Sequence, residues 1–310
     1  MQMSLKRLTS TIGVMLLTLG CVQTADTAAP GMTLPDTPDG TVVVVAEQLV
    51  NHHPEIIWEA LPESYRADIN EITSTFAEKM DPEVYDRAFA LVMRAIEVLD
   101  DRKEIIFASE TFTSTGADAD EIRTGLSNTQ AFTATVKASE IATLEGLSKV
   151  DWERFLATTG AQMLEHAASI ETGDGDKPLD DLDTLEVETL NLSGDRATLR
   201  ISSKDHESED VEMARVEGRW IPAEMADEWS QKIEEARQNL AELTPEDMAA
   251  QKTQIMMFFG MTDGLIEQIA SLQTPEEFDA AIGPMLAPFI GAASMGMMGD
   301  EEEWEEPEED

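Results

Sequence analysis

The four histidines of the chain are its first candidates for metal binding or proton transfer. Only His52 and His53 are adjacent, whereas His166 and His206 stand alone. Two zinc ligands on one helical face need a spacing of three or four residues, because adjacent side chains point in different directions. The spacing therefore does not predict a zinc site. A histidine pair is also typical of a helix end, where the ring interacts with the last carbonyl groups.

An acidic segment between Gly173 and Leu185 is the second candidate. Its carboxylates are the oxygen ligands that calcium prefers, and they belong to Asp174, Asp176, Asp180, Asp181 and Asp183. A calcium loop that opened at Asp174 would need Gly where Leu179 stands and a bidentate Glu where Leu185 stands. A calcium loop and a solvated acidic turn both stay open, and we favour the turn.

Methionines near the end of the chain are the third candidate, because thioethers can hold Cu(I). They are Met256, Met257, Met261, Met285, Met295, Met297 and Met298. Met256 and Met257 share a helical run with Phe258, Phe259 and Leu265, which favours packing in the core or on a partner. The uncharged stretch 280–299 contains four Gly and two Pro, so we predict an apolar docking segment there and not a spanning helix.

Motifs of catalysis are missing from the sequence. It contains no Gly-x-Ser-x-Gly elbow, no Gly-rich phosphate loop and no His-Glu-x-x-His pair. Trp58 and Trp220 lie in apolar local patterns and are interpreted as core anchors. We therefore assign no catalytic, cofactor-binding or metal-binding residue, and we expect no cofactor.

Charge limits the partners of this chain. Its 63 Asp and Glu against 21 Lys and Arg give a net charge of −42. Nucleic acid is excluded, because neutralising phosphates requires clustered basic residues. The acidity is interpreted as a solvation device in preference to a cation-binding surface. Nothing after Lys252 is basic, and residues 300–310 are predicted to form an acidic disordered tail.

The first twenty residues have the order of a signal peptide. Lys6 and Arg7 precede an uncharged run from Leu8 to Leu19, and Gly20 precedes Cys21. The uncharged run is too short to span a bilayer as a helix. An exported chain is therefore predicted, with residues 1–20 removed.

The end of this segment, Leu17-Thr18-Leu19-Gly20-Cys21, resembles the lipobox of bacterial lipoproteins. The resemblance implies cleavage before Cys21, a diacylglycerol thioether on its sulfur and acylation of the new amino terminus. Cys21 is the only cysteine and cannot form an internal disulfide. Val22 after the cysteine resembles the Gram-negative pattern for outer-membrane sorting, with the body facing the periplasm. An ordinary signal peptide cleaved further along is the alternative.

Local patterns divide the rest of the chain into a tether, a body and the tail. Residues 21–41 have linker composition, and the body is predicted over 42–299. Helices are expected on both sides of His52-His53, then along a stripe from Tyr65 to Met80, then after Asp81-Pro82. Further on, we predict a loop over 111–120 and helices over 130–146 and 151–169.

Period-two alternation then predicts an antiparallel β-meander over 184–222. Helices are expected to follow at Thr244-Pro245 and Thr274-Pro275. The charged stretch Asp227–Glu242 is predicted to be a solvated or coiled-coil-like helix. The predicted fold class is α+β, predominantly helical with a small antiparallel meander.

Two segments resemble the NTF2-like superfamily: the short helices over Val42–Pro62 and the meander over Leu185–Pro222, with Gly194-Asp195 and Gly218-Arg219-Trp220. The resemblance implies a curved sheet closed by N-terminal helices around a pocket, which serves enzymes, ligand binders and scaffolds. We expect a non-enzymatic binding or scaffold protein of the envelope, with an envelope protein or small ligand as partner. That hypothesis predicts an exposed apolar patch within Leu265–Met298. The alternative is an NTF2-like enzyme or ligand-binding pocket with two convergent titratable groups.

Overall fold

The computed structural model of the chain describes residues 33–116, 118–125, 129–169, 179–204 and 206–294. The predicted lipid attachment site Cys21, the signal peptide and the acidic tail lie outside these residues. The first described helix, α1 (Pro38–Val50), begins four residues before the predicted start of the body. Thr37 caps it, since its hydroxyl accepts a hydrogen bond from the Gly40 N–H at 3.2 Å. The second predicted short helix is α2 (Glu55–Ala60).

Two long helices follow where the apolar stripes predicted them, α3 (Glu63–Lys79) and α4 (Pro82–Phe107). The Asp81 carboxylate accepts from the Val84 N–H at 3.1 Å, and Pro82 occupies the first turn, so α4 begins at its local signal. These two helices carry the largest apolar cluster of the body, together with α2 and the helices that follow.

The next region is more broken than the sequence predicted. The predicted loop 111–120 contains most of α5 (Glu110–Thr113) and the start of α6 (Ala119–Gly125). The predicted helix 130–146 is also wrong as a continuous element: α7 (Thr129–Lys137) is followed by a 3₁₀ turn (Glu140–Ala142) and by α8 (Leu144–Leu147). The Thr143 hydroxyl accepts from the Gly146 N–H at 3.1 Å and starts the new helix.

The predicted helix 151–169 is present but contains a change of pitch. It consists of α9 (Trp152–Phe155), a π-helical turn (Leu156–Gly160) and α10 (Ala161–Ala168). Phe155 is completely buried. It lies in the main core cluster, which comprises Trp58, Leu61, Tyr65, Met93, Val136, Leu144, Leu147, Phe155, Leu156, Met163 and Ile221.

A short helix α11 (Asp180–Asp183) leads into the sheet. Its strands are β1 (Glu186–Ser193), β2 (Arg196–Ser203), β3 (His206–Val216) and β4 (Arg219–Pro222). They pair antiparallel in the order β1-β2-β3-β4, which confirms the predicted meander. Glu217 and Gly218 have φ angles of 51° and 79°, the backbone that the tightest hairpin turn requires.

Three helices complete the described body: α12 (Ala223–Glu242), α13 (Pro245–Ser271) and α14 (Pro275–Ser294). The Thr274 hydroxyl accepts from the Glu277 N–H at 3.2 Å, so α14 begins at its predicted cap. One side of α12 packs on α3, where Trp229 stacks on Tyr65 with ring centres 4.0 Å apart. The fold is α+β and mostly helical, as predicted. Within the described ranges, no helix combines the length and apolarity needed to cross a membrane.

Candidate docking surface

Helix α13 is attached to α4 by ion pairs along one side. The Asp263 carboxylate forms ion pairs with the guanidinium groups of Arg87 and Arg94, at N–O distances of 2.6 Å and 2.8 Å. Nearer the start of α13, Lys252 lies 3.0 Å from Asp81 and 2.7 Å from Glu83. Because both sets of contacts involve the same neighbour, they fix which face of α13 turns toward the body. The opposite face is left toward solvent.

That opposite face carries an exposed stripe without any charge. Its members recur at spacings of three and four, so they form one line along the helix. We call this line the uncharged stripe, and it consists of Ala250, Thr253, Met257, Met261, Gly264, Gln268 and Ser271, all exposed. Met257 and Met261 are 63% and 69% exposed, and Phe258 beside them is 62% exposed. Three large apolar side chains therefore stand in water within five residues.

Two glycines lie on or beside this stripe without a structural need inside the described body. Gly260 and Gly264 are in the interior of α13, and a Cβ placed on either would meet no described atom within 4 Å. Gly146 is the contrasting case, because a Cβ there would collide with the Glu140 backbone. Among the described residues, the packing therefore requires glycine at 146 and not at 260 or 264.

The sequence pattern predicted that the methionine-rich run of α13 packs as one set, but the structure places its side chains in different environments. Met256 and Phe259 are partly buried, whereas Leu265 packs in a small cluster with Phe278 and Ile282. The exposed apolar patch lies N-terminal to the predicted range Leu265–Met298. Side chains beyond residue 284 lie outside the described part. Helical periodicity identifies two faces of this helix. It does not indicate which of the two faces α4 covers.

The junction predicted to hold an NTF2-like pocket is mostly filled. Val42 of α1 packs against a sheet cluster of Ala197, Leu199, Ile201, Met213 and Trp220. A pocket of about 230 Å³ remains at the edge, and its lining includes Asp36 and Arg219. Asp36 is already paired with Arg215. Trp58 and Trp220 are buried in apolar clusters, as predicted.

A wider, open cleft of about 670 Å³ lies between α3 and the α8–α9 region. Its titratable lining groups are Glu71, Asp151 and Glu153. Glu71 pairs with Arg237 at 2.6 Å, and Asp151 accepts from the Arg154 N–H as the cap of α9. Burial raises the pKa of the Glu153 carboxyl above its ordinary value of 4.5, and the nearby charges of Glu59 and Asp151 raise it further. One perturbed carboxyl without a second free group is a weak basis for acid–base catalysis.

The described histidine side chains make separate contacts, and the side chain of His206 lies outside the described part. His52 and His53 lie directly after α1, at a helix end as predicted, and His53 Nδ1 is 3.0 Å from a Glu55 carboxylate oxygen. His166 Nε2 lies 3.3 Å from the Thr135 hydroxyl. In the part of the chain that the structure covers, no three His, Cys, Asp or Glu side chains are arranged to hold a metal ion.

Most of the predicted acidic turn lies outside the described residues. Asp174 and Asp176 lie outside the described residues, as does the side chain of Asp180. The Asp181 carboxylate accepts from the Ser203 hydroxyl at 3.3 Å, which joins the end of this segment to the sheet.

Comparison with known proteins gives no relative for this chain: no family model, no curated protein and no solved structure matches it. The resemblances to lipoproteins and to the NTF2-like superfamily therefore stay predictions.

Proposed function

We propose that this chain is an exported lipoprotein, anchored through Cys21 to the periplasmic side of the outer membrane, and that it acts as a non-enzymatic binding or scaffold protein. The uncharged stripe of α13, with Phe258 beside it, is its docking surface. The observation that carries the proposal is the exposure of Met257, Phe258 and Met261 by more than 60% each.

These three side chains gain free energy when a partner removes them from water. Full burial of one large apolar side chain contributes about 1.5–3 kcal/mol relative to leaving it in water. Three side chains together therefore offer an upper limit of roughly 4–9 kcal/mol to a partner that covers them. Methionine suits such a surface, because its flexible thioether adapts to different neighbours. Other exposed apolar residues, such as Val92 and Leu192, lie on different elements.

The partner surface must match an uncharged line on one helix. A second helix with apolar side chains fits this geometry, because helix pairs bury such lines by interlocking side chains. A basic or acidic peptide would find no opposite charge along the stripe itself. The NTF2-like alternative has less support, because apolar side chains fill most of the helix–sheet junction where it requires a cavity.

The anchor and the docking surface can be tested separately. Intact-mass analysis of the membrane-extracted protein should show acyl chains on the wild type and their loss in Cys21→Ser. For the surface, a photoreactive amino acid at position 258 should give discrete crosslinked products in intact cells. The same group at Leu192, which is 56% exposed on β1, is the matched control and should give none of them. Equal labelling from both positions would contradict the proposed docking surface.

A further inference from the structure

We propose that the helix covering the uncharged stripe is the same stripe of a second copy, packed antiparallel about a twofold axis that passes between Gly260 and Met261. This inference rests on the proposed function, since it uses the same surface. It adds the identity, the direction and the register of the partner helix.

The two glycines point to close approach by another backbone. Glycine in a helix interior costs about 0.8–1 kcal/mol relative to alanine. Nothing in the described body offsets that cost, because a Cβ at Gly260 or Gly264 would meet none of its atoms within 4 Å. Small residues four apart allow two helices to approach unusually closely. We therefore infer that the glycines allow the backbone of a second helix to pack closely against α13.

Self-complementarity sets the register. In the antiparallel pair centred between Gly260 and Met261, Met257 of one copy lies level with Gly264 of the other, and Met261 lies level with Gly260. Met257 thus faces a position without a side chain, and the twofold axis repeats this contact. The two Met261 side chains lie beside each other near the axis, because Gly260 is about a quarter turn away on the helix. The outer positions pair equally well in size and polarity, since Thr253 lies level with Gln268 and Ala250 with Ser271.

Charge favours this direction over a parallel pair. In the antiparallel register, Glu267 lies level with Gln254 and Asp263 lies level with Phe258. A parallel pair in register would place Glu267 level with Glu267 of the second copy, and like charges at close range repel. Each Glu267 also pairs with Arg94 of its own chain, which reduces this repulsion. Asp263 is in addition held by Arg87 and Arg94 of its own chain. Carboxylates therefore do not oppose one another across the antiparallel contact.

The net charge of −42 makes the association dependent on salt. Two such copies repel at long range, while the stripe itself carries no charge to be screened. The Debye length falls from about 14 Å at 50 mM salt to about 4 Å at 500 mM. The fraction of paired copies should therefore rise with salt, which is opposite to an interface held by ion pairs.

Cysteine crosslinking of the full chain in its membrane tests the register. Two differently tagged copies, one with Thr253→Cys and one with Gln268→Cys, are expressed together and treated with a thiol crosslinker that spans about 8 Å, near the usual spacing of packed helices. The antiparallel register places positions 253 and 268 level with each other, whereas two copies of position 253 are separated by roughly 22 Å along the helix. The mixed pair should crosslink, and either variant alone should not. Wild type controls for any reaction at Cys21.

A second set of variants tests the role of the glycines. Gly264→Leu should lower the crosslinked yield of the mixed pair about tenfold, because its side chain would displace Met257 of the second copy. Gln251→Leu is the matched control: it adds the same side chain at an exposed position of α13 that lies off the stripe, and the yield should not change. Thermal unfolding of both variants checks that the fold is retained.

The outcomes separate this inference from the proposed function. Crosslinking of each single variant without the mixed pair would overturn the antiparallel register. No crosslinking between copies, with a different protein or lipid labelled from position 258, would overturn self-association and leave the docking surface in place. No specific product in either experiment would overturn both proposals.

Discussion

Replacing Gly260 and Gly264 together by alanine should make the isolated molecule more stable. Alanine is favoured over glycine in a helix interior by about 0.8–1 kcal/mol per site, and a Cβ at either position meets open space in the described body. The two changes should therefore raise the free energy of unfolding by roughly 2 kcal/mol. For a body of this size, the midpoint of thermal unfolding should rise by about 4–8 °C.

The assay is thermal or urea unfolding at low protein concentration and low salt, where copies repel each other. Gly146→Ala is the control, because its Cβ would collide with the Glu140 backbone, and overpacking of this kind typically costs about 1–3 kcal/mol. If the double alanine variant proves less stable than the wild type, the glycines serve the molecule's own fold. A second helix would then not be the reason for these two glycines.

Three further predictions concern the body. Phe155→Ala should cost about 3–5 kcal/mol in denaturant unfolding because its side chain is completely buried, whereas Phe258→Ala should change stability by less than about 0.5 kcal/mol. Trp229→Phe should cost about 1–2 kcal/mol, since it removes the 2.9 Å hydrogen bond from the indole N–H to the Asp68 carboxylate; equal stability would contradict that bond. Glu153 has a raised pKa, so its stabilising contribution is complete below pH 4.5 and is lost as the pH rises through the folded-state pKa. Glu153→Gln should therefore gain stability relative to wild type between pH 4 and pH 7, and a difference independent of pH would contradict this.

Helix starts were predictable from sequence because their causes are local. Asp81 before Pro82 and Thr274 before Pro275 place a capping oxygen within three residues of the N–H groups that need it. The meander was predictable for a related reason, since period-two alternation and the Glu217-Gly218 turn involve only neighbouring residues. These elements agree with the structure to within a few residues, apart from β3. The sequence pattern predicts the third strand over Val211–Val216, whereas β3 begins at His206.

The interruption of the predicted helix 130–146 and the exposed face of α13 were not predictable from local sequence. The interruption between α7 and α8 depends on Thr143 starting a new helix and on Gly146 packing against the Glu140 backbone. The exposed face of α13 depends on Arg87 and Arg94, which are more than 160 residues away in sequence. A helical projection shows that residues 250–271 have an uncharged line, but not whether another element of the chain covers it.

The scarcity of basic residues explains why this uncharged line matters. Many of the 21 Lys and Arg are used inside the molecule: Arg87 and Arg94 hold α13, Arg237 joins α12 to α3, and Arg196 joins β2 to α12. Using cations as internal ties leaves an outer surface dominated by carboxylates, which disfavours indiscriminate contact with other polyanions. On such a surface, an uncharged stripe about 32 Å long is a place where close approach carries little electrostatic penalty. The surface carboxylates repel other acidic molecules, whereas the uncharged stripe does not. Together they favour a partner that fits the stripe over partners that would contact the rest of the surface.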